Sequence, residues 1–269
     1  MESNTKKEIY GMLKKELTKK RICFVLYGYE ASVLTLFDKL VPFYEEKGYP
    51  LKSIDFDFLK NKGYKSESLP IEKFLEKREV DISYNISNNY KFFHIFTAKR
   101  RREPLTWHYS FDYNEKVVNI MFDAIYEEKH IFLFFKEILS LLLKDNKASL
   151  GYLFEQERST TYLLGDTWAE HQMSIYKENA EVWRRFRLSD KFPHIKNRYR
   201  HIYLQNILST YHIEEMFDGI PFIQWVEKNA YGTVEKIGKE NWLWTISEEK
   251  QHEIQVIFYD KGLLIGVDR

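Results

Sequence analysis

The spacing of apolar residues divides the first sixty residues into alternating strand and helix patterns. The run "RICFVLYGYE" is apolar over most of its length and predicts a buried strand. In "LKSIDFDFL" apolar residues alternate with Asp55 and Asp57, as in a strand with one buried face. The intervening "ASVLTLFDKLVPFYEEKGY" predicts a helix that ends at Gly48. Together they predict a β-α-β unit, preceded by an amphipathic helix over residues 6–20.

A polar connection with a short helix follows, and then several strand patterns come in series. These are "DISYNIS", "KFFHIFTAK", "LTWHYSFDYN" and "VVNIMFDAIY". Their short polar joints indicate an antiparallel meander. The segment "HIFLFFKEILSLLLKDNK" predicts a buried helix that covers this meander, and "LGYLFEQE" predicts one more strand.

The pattern becomes helical from Ser159 to about Lys228. After it, "GTVEKIGKENWLWTI" predicts a β-hairpin and "SEEKQHEIQVIFYDKG" a last helix, with Ser247 as its N-cap. The expected fold class is α+β, an antiparallel sheet with helices on one face followed by a helix-rich half that ends in a hairpin and a helix. The expected division is 1–158 and 159–269, unless the two stretches form one continuous domain.

Composition limits the classes of function. The 41 Lys and Arg residues nearly balance 40 Asp and Glu, whereas a dedicated non-specific DNA-binding protein has a clear basic excess. The single cysteine, Cys23, rules out an intrachain disulfide and a multi-cysteine metal site, and its apolar strand predicts a buried side chain. The charged N-terminal stretch and the absence of an apolar run of about twenty residues predict a cytoplasmic protein without a membrane span.

The motifs of common enzymes are missing. The chain has no GxxxxGK[ST] or GxGxxG phosphate loop, no GxSxG nucleophile elbow and no HExxH zinc motif. We therefore expect no cofactor and favour a protein without catalytic activity. Asp55 and Asp57 share one face of a strand and could hold Mg²⁺, although such a pair is more often the solvent face of an edge strand.

A basic tract, Trp183–His201, has the sequence "WRRFRLSDKFPHIKNRYRH". From Glu181, just before the tract, to Arg200 the chain has seven basic residues and two acidic ones, and aromatic residues lie between them. It has three interpretations: a solvated helix face with its aromatics turned inward, a surface for an acidic protein, or a surface for a nucleic-acid backbone. Arg and Trp contribute strongly to interface energies, so we predict partner contacts there and in a second cluster, "KRRR". The predicted contacts are Trp183, Arg184, Arg185, Arg187, Arg100, Arg101 and Arg102.

The last quarter of the chain resembles the C-terminal part of large α+β immunity proteins, which protect bacteria from polymorphic or type VI-delivered toxins. The resemblance lies in an order of features: an Arg/Tyr-rich entry leading to "YLQNILS", a short helix with Trp225, then "YGTVEKI", "NWLWTI" and a terminal helix ending in "GLL". It includes no catalytic signature. The resemblance implies a cytoplasmic protein that neutralises a toxin by binding, and it assigns no site residue.

The leading hypothesis from the sequence is a non-enzymatic immunity-type inhibitor with a protein partner. The alternative is a nucleic-acid-binding or phage-defence component, with the basic tract on phosphates and Asp55 and Asp57 holding Mg²⁺. A third hypothesis is a structural subunit of a larger assembly.

Overall fold

A long antiparallel sheet is the framework of the molecule. The computed structural model describes residues 20–60, 63–97, 107–112, 116–123, 128–157, 179, 182–183, 185 and 198–265. In these residues ten strands form one sheet in the order β11-β12-β8-β7-β1-β6-β5-β4-β2-β3, and every neighbouring pair is antiparallel. A separate hairpin pairs β9 with β10. The strands are β1 Lys20–Tyr27, β2 Ser53–Lys60, β3 Gly63–Pro70, β4 Tyr90–Phe96, β5 Trp107–Asp112, β6 Val117–Asp123, β7 Leu150–Glu157, β8 Gln205–Ser209, β9 Met216–Phe217, β10 Ile220–Pro221, β11 Thr233–Lys236 and β12 Asn241–Thr245.

Helices connect the strands. They are α1 Val33–Glu46, α2 Ile71–Val80, α3 Glu128–Leu143, α4 Thr210–Ile213, α5 Phe222–Lys228 and α6 Glu248–Asp260. Two 3₁₀ turns, Ile82–Asn85 and Ser87–Asn89, follow α2. Gly48 ends α1 at a φ of +80°, a conformation that glycine adopts without strain, as the sequence predicts.

The sheet has a hydrophobic core on each face. Because successive side chains of a strand point to opposite faces, Phe24 and Leu26 of β1 join the core under α1, α2 and α3. Cys23, Val25 and Tyr27 join the core under α5 and α6. The α+β class with an antiparallel sheet is confirmed, and the buried side chain of Cys23 is as expected. The expectation of helices on one face is wrong, since helices pack on both.

Three local predictions differ from the structure. "DISYNIS" is not a strand but the two 3₁₀ turns, because the Asp81 carboxylate caps the first of them. Part of the polar connection is strand β3, whose polar pattern reflects its place at the end of the sheet. "QNILS" is strand β8 and not a helix; most of its residues are buried, so it lacks the alternation that marks a half-buried strand. The leading helix over residues 6–20 lies outside the described residues, as does most of 158–197.

The two stretches divided at residue 158 both supply strands to the one sheet. β7 pairs with β1 on one side and with β8 on the other. At their junction Gly151 lies opposite Leu26 and Ile207, and a Cβ atom there would collide with the carbonyl oxygen of Val25. The close approach of these backbones therefore depends on glycine.

Candidate protein interface

The two ends of the basic tract lie inside the molecule. Trp183 is fully buried, and its Nε1 donates a hydrogen bond of 3.2 Å to the Tyr27 hydroxyl. That hydroxyl is 2.9 Å from the hydroxyl of Tyr152, to which Arg200 Nη1 donates at 3.2 Å. The indole of Trp183, which the sequence predicted as a partner contact, is therefore part of the core of the folded chain.

Arg200 also lies in the interior of the molecule. Its side chain is fully buried, and its guanidinium carbon is 5.9 Å from the centre of the Trp183 ring. Burying a guanidinium is costly unless hydrogen bonds and nearby charge or aromatic rings compensate it. Arg200 thus fixes the end of the tract against β7, and this part of the basic pattern reflects core contacts.

Other members of the predicted interface have different positions. Arg185 is exposed, and so is Arg198, which donates a hydrogen bond to the Gly262 carbonyl. Arg184 and Arg187 lie outside the described residues, as do Arg100, Arg101 and Arg102 of the second cluster. Their contact with a partner stays a prediction.

Two histidines beside this region are neutral structural groups. Burial lowers the pKa of both His201 and His212 to about 4. The Nδ1 atom of His201 accepts from the Ile202 N–H at 2.8 Å, and that of His212 accepts from the Ser209 N–H at 3.1 Å. A ring nitrogen that carries a proton cannot accept these bonds, so the geometry requires the neutral form.

The two aspartates proposed as magnesium ligands lie on the expected strand face. Asp57 accepts a hydrogen bond of 2.6 Å from Ser66 Oγ, and Asp55 lies opposite His94 of β4 and Ser68 of β3. Nowhere in the described ranges do three or more His, Cys, Asp or Glu side chains come together as they would to hold a metal ion. The described geometry therefore adds no third ligand to the aspartates.

Among the described residues, the most exposed large apolar side chains lie at the end of α2 and directly after it. Val80 is 85% exposed and Ile82 is 82% exposed, and Ile86 exposes about half of its surface. We call residues 80–86 the apolar segment. Asp81 between the first two has an extended backbone, with φ −129° and ψ 107°, so Val80 and Ile82 point to the same side. The sequence pattern missed this surface because it assigned "DISYNIS" to a strand of the meander and Val80 to the connection before it.

Side-chain hydrogen bonds fix the backbone of the apolar segment. Asp81 Oδ1 accepts from both the backbone N–H of Ser83 at 2.9 Å and its hydroxyl at 2.7 Å. The Ser83 carbonyl accepts from the Asn89 side chain at 2.8 Å, and the Tyr84 carbonyl accepts from the Tyr90 hydroxyl at 2.8 Å. The turns are therefore held from both ends.

Tyr84 anchors the segment to the sheet. Its ring is stacked on Phe58 of β2, with ring centres 4.4 Å apart, and it is buried. Its hydroxyl accepts a hydrogen bond of 3.0 Å from Lys77 of α2, and Lys77 also contacts Glu67 of β3 at 2.9 Å. The segment is thus tied to two strands and one helix.

Arg78 anchors the segment to α1. Its Nε donates to Asn85 Oδ1 at 3.0 Å, and the Asn85 amide donates back to the Arg78 carbonyl at 2.6 Å. Its Nη1 donates to Asp38 of α1 at 2.6 Å, and its guanidinium lies over the Phe37 ring. Apolar side chains thus point outward from a backbone that is already ordered, as in a preformed protein-binding surface.

Comparison with protein-family models, with curated proteins and with solved structures gives no match to this chain. Among the helices that the structure describes, none combines the length and the apolar character needed to cross a membrane.

Proposed function

We propose that this chain is a non-enzymatic binding protein of the immunity type, which neutralises a bacterial toxin by direct contact through the apolar segment. The observation that supports the proposal most directly is the high exposure of Val80 and Ile82 on a hydrogen-bonded backbone. The resemblance of the last quarter of the sequence to immunity proteins supports the choice of partner.

The energetics favour a protein partner for this surface. Burying a fully exposed Val or Ile side chain contributes roughly 1.5–3 kcal/mol. The cost of ordering the segment is small, because the hydrogen bonds of Asp81 and Arg78 hold it before binding. Branched aliphatic side chains match an apolar protein surface and have no means of holding a phosphate.

The proposal predicts that an acidic side chain in the apolar segment weakens binding. The chain is used to isolate its partner from nuclease-treated lysate of its native cells, and affinity is then measured by calorimetry with both proteins purified. We expect Ile82→Asp to weaken the complex by about 30-fold or more, because burying a carboxylate in an apolar interface costs at least about 2 kcal/mol. Cells that produce the partner should lose their protection with this variant.

The matched control is Leu133→Asp, which places the same charge on an exposed apolar position of α3 outside the segment. Its affinity should stay within about threefold of wild type, as expected for a surface substitution away from the contact. Equal affinity of the Ile82→Asp variant and wild type would reject the apolar segment. Recovery of nucleic acid alone from a parallel untreated lysate, and of no partner after nuclease treatment, would replace the proposal with the nucleic-acid-binding alternative.

A further inference from the structure

Strand β3 forms one end of the described sheet. It pairs with β2, and no described strand lies on its other side. Most of its residues are exposed, among them Tyr64, Lys65, Ser66 and Ser68. An edge of eight residues offers backbone N–H and C=O groups to any second strand that approaches it.

The charges of β3 select one symmetric way of pairing with a second copy of itself. A two-fold axis perpendicular to the sheet leaves the same face of the sheet upward in both copies. Side chains that lie directly opposite each other must point to the same face, so the axis must lie midway between the two copies of one residue. We name each possible axis by that residue. An axis at Lys65 would place two lysines opposite each other, and an axis at Glu67 would place two glutamates opposite each other. An axis at Ser66 places each Lys65 opposite Glu67 of the second copy and each Tyr64 opposite Ser68 of the second copy. It also pairs the strand over nearly its whole length.

We propose that the chain forms a two-fold symmetric dimer by antiparallel pairing of two β3 strands about Ser66. The joined sheet would have twenty strands, because each copy contributes the ten of the described sheet. Opposite charges directly across an antiparallel pair are favourable, whereas like charges are unfavourable. The inference does not depend on the proposed function.

Helix α2 adds contact area to the dimer. It contacts both β2 and β3, so two copies of α2 would lie about two strand spacings apart, roughly 10 Å, which is a normal distance for packed helices. Lys77 of α2 reaches Glu67 on β3, which identifies the side of the helix that faces the edge.

Disulfide trapping tests the register. Cys23, the chain's single cysteine, is only 2% exposed, so an introduced cysteine reacts without background. Under mild oxidation Ser66→Cys should give a covalent dimer, because the two copies of residue 66 lie directly opposite each other at disulfide distance. The matched control is Ser68→Cys, whose two copies would be about 14 Å apart along the strands and should not crosslink. A mixture of Tyr64→Cys and Ser68→Cys chains should crosslink to each other.

Sedimentation velocity tests the association itself. Lys65→Glu replaces two attractive pairs by two repulsive pairs and should weaken dimerisation by about tenfold or more, while Lys91→Glu on β4 makes the same charge change away from the edge and should leave it unchanged. Glu67 is not varied, because it also pairs with Lys60 and Lys77 within the chain. A wild-type chain that stays monomeric at its highest soluble concentration would overturn the proposal. Equal crosslinking of Ser66→Cys and Ser68→Cys would overturn it as well.

Discussion

His201 and His212 are buried at positions where only a neutral imidazole fits. Both accept a backbone N–H at Nδ1, and the Gln255 side-chain amide is a further contact of the His201 ring. Burial is the largest cause of their lowered pKa, and the neighbouring Arg200 lowers the pKa of His201 further. The sequence shows eight histidines but not which of them are buried.

These two residues predict an acid-sensitive fold. Their pKa is about 4 in the folded chain and near 6.5 when unfolded, so between these values the unfolded chain binds more protons. The free energy of unfolding should therefore fall as the pH is lowered from 7 to 5, by about 2 kcal/mol for each histidine. Urea titrations at the two pH values measure the difference. His212→Asn should reduce the difference in the free energy of unfolding between pH 7 and pH 5. His252→Gln, which changes an exposed histidine, should leave this difference unchanged. A urea midpoint of the wild-type chain that does not depend on pH would contradict the prediction.

Among the elements, strand β12 is joined to its surroundings by its first residue. Asn241 is fully buried, and its amide donates to the carbonyls of Ala148 and Leu208 at 2.9 and 3.0 Å. Its side-chain oxygen accepts from the Ala148 N–H at 3.1 Å. One side chain thus links β12, β8 and the turn before β7, three elements that are distant in sequence.

Removing this link should destabilise the fold. Asn241→Ala leaves buried backbone groups of Ala148 and Leu208 without their side-chain partner, and each such group costs about 1–3 kcal/mol. We expect the free energy of unfolding to fall by about 3 kcal/mol, measured by urea denaturation. Asn146→Ala is the control: its contacts with Tyr29 and Leu142 are longer, at 3.3 and 3.4 Å, so it should lose less than about 1 kcal/mol. An equal loss in the free energy of unfolding in the two variants would show that the hydrogen bonds of Asn241 contribute no more to stability than those of Asn146.

Most elements with a clear local period were predictable, whereas the links between them were not. The alternation of "LKSIDFDFL" and the spacing of "SEEKQHEIQVIFYDKG" correspond to β2 and α6. The sequence did not reveal that Asn241 would hydrogen-bond to Ala148, because a single polar residue inside a strand pattern has no periodic signal. The apolar segment was missed for a related reason: its exposure depends on where Asp81 and Arg78 hold the chain.

The whole molecule depends on one sheet with a core on each face. β1 is central to both cores, and the second core combines Tyr27 and Tyr152 with Trp183, Trp225 and residues of α6. The seven strands from before residue 158 are adjacent in the sheet, and the three from after it continue the sheet beyond the β7–β8 pair. The second core combines apolar side chains of both stretches.

The shared sheet predicts a single cooperative unfolding transition. Unfolding curves followed by tryptophan fluorescence and by far-ultraviolet circular dichroism should coincide. A fragment that ends at residue 158 would lose the β7–β8 pairing and expose Tyr27 and Tyr152, so it should be insoluble or unfolded. A soluble fragment with cooperative unfolding would show instead that the N-terminal stretch is an independent domain.

The sequence by itself determined the α+β class, strand β1, helix α1, the β11–β12 hairpin and helix α6, because each depends on residues close together in the chain. It also predicted correctly that Cys23 is buried. Only the tertiary structure decided that helices cover both faces, that "QNILS" joins the sheet, that Trp183 and Arg200 turn inward and that Val80 and Ile82 turn outward. Most of these features depend on contacts between residues far apart in the chain, such as Trp183 with Tyr27, 156 positions apart, and Arg200 with Tyr152, 48 positions apart. Local periodicity carries no information about such contacts.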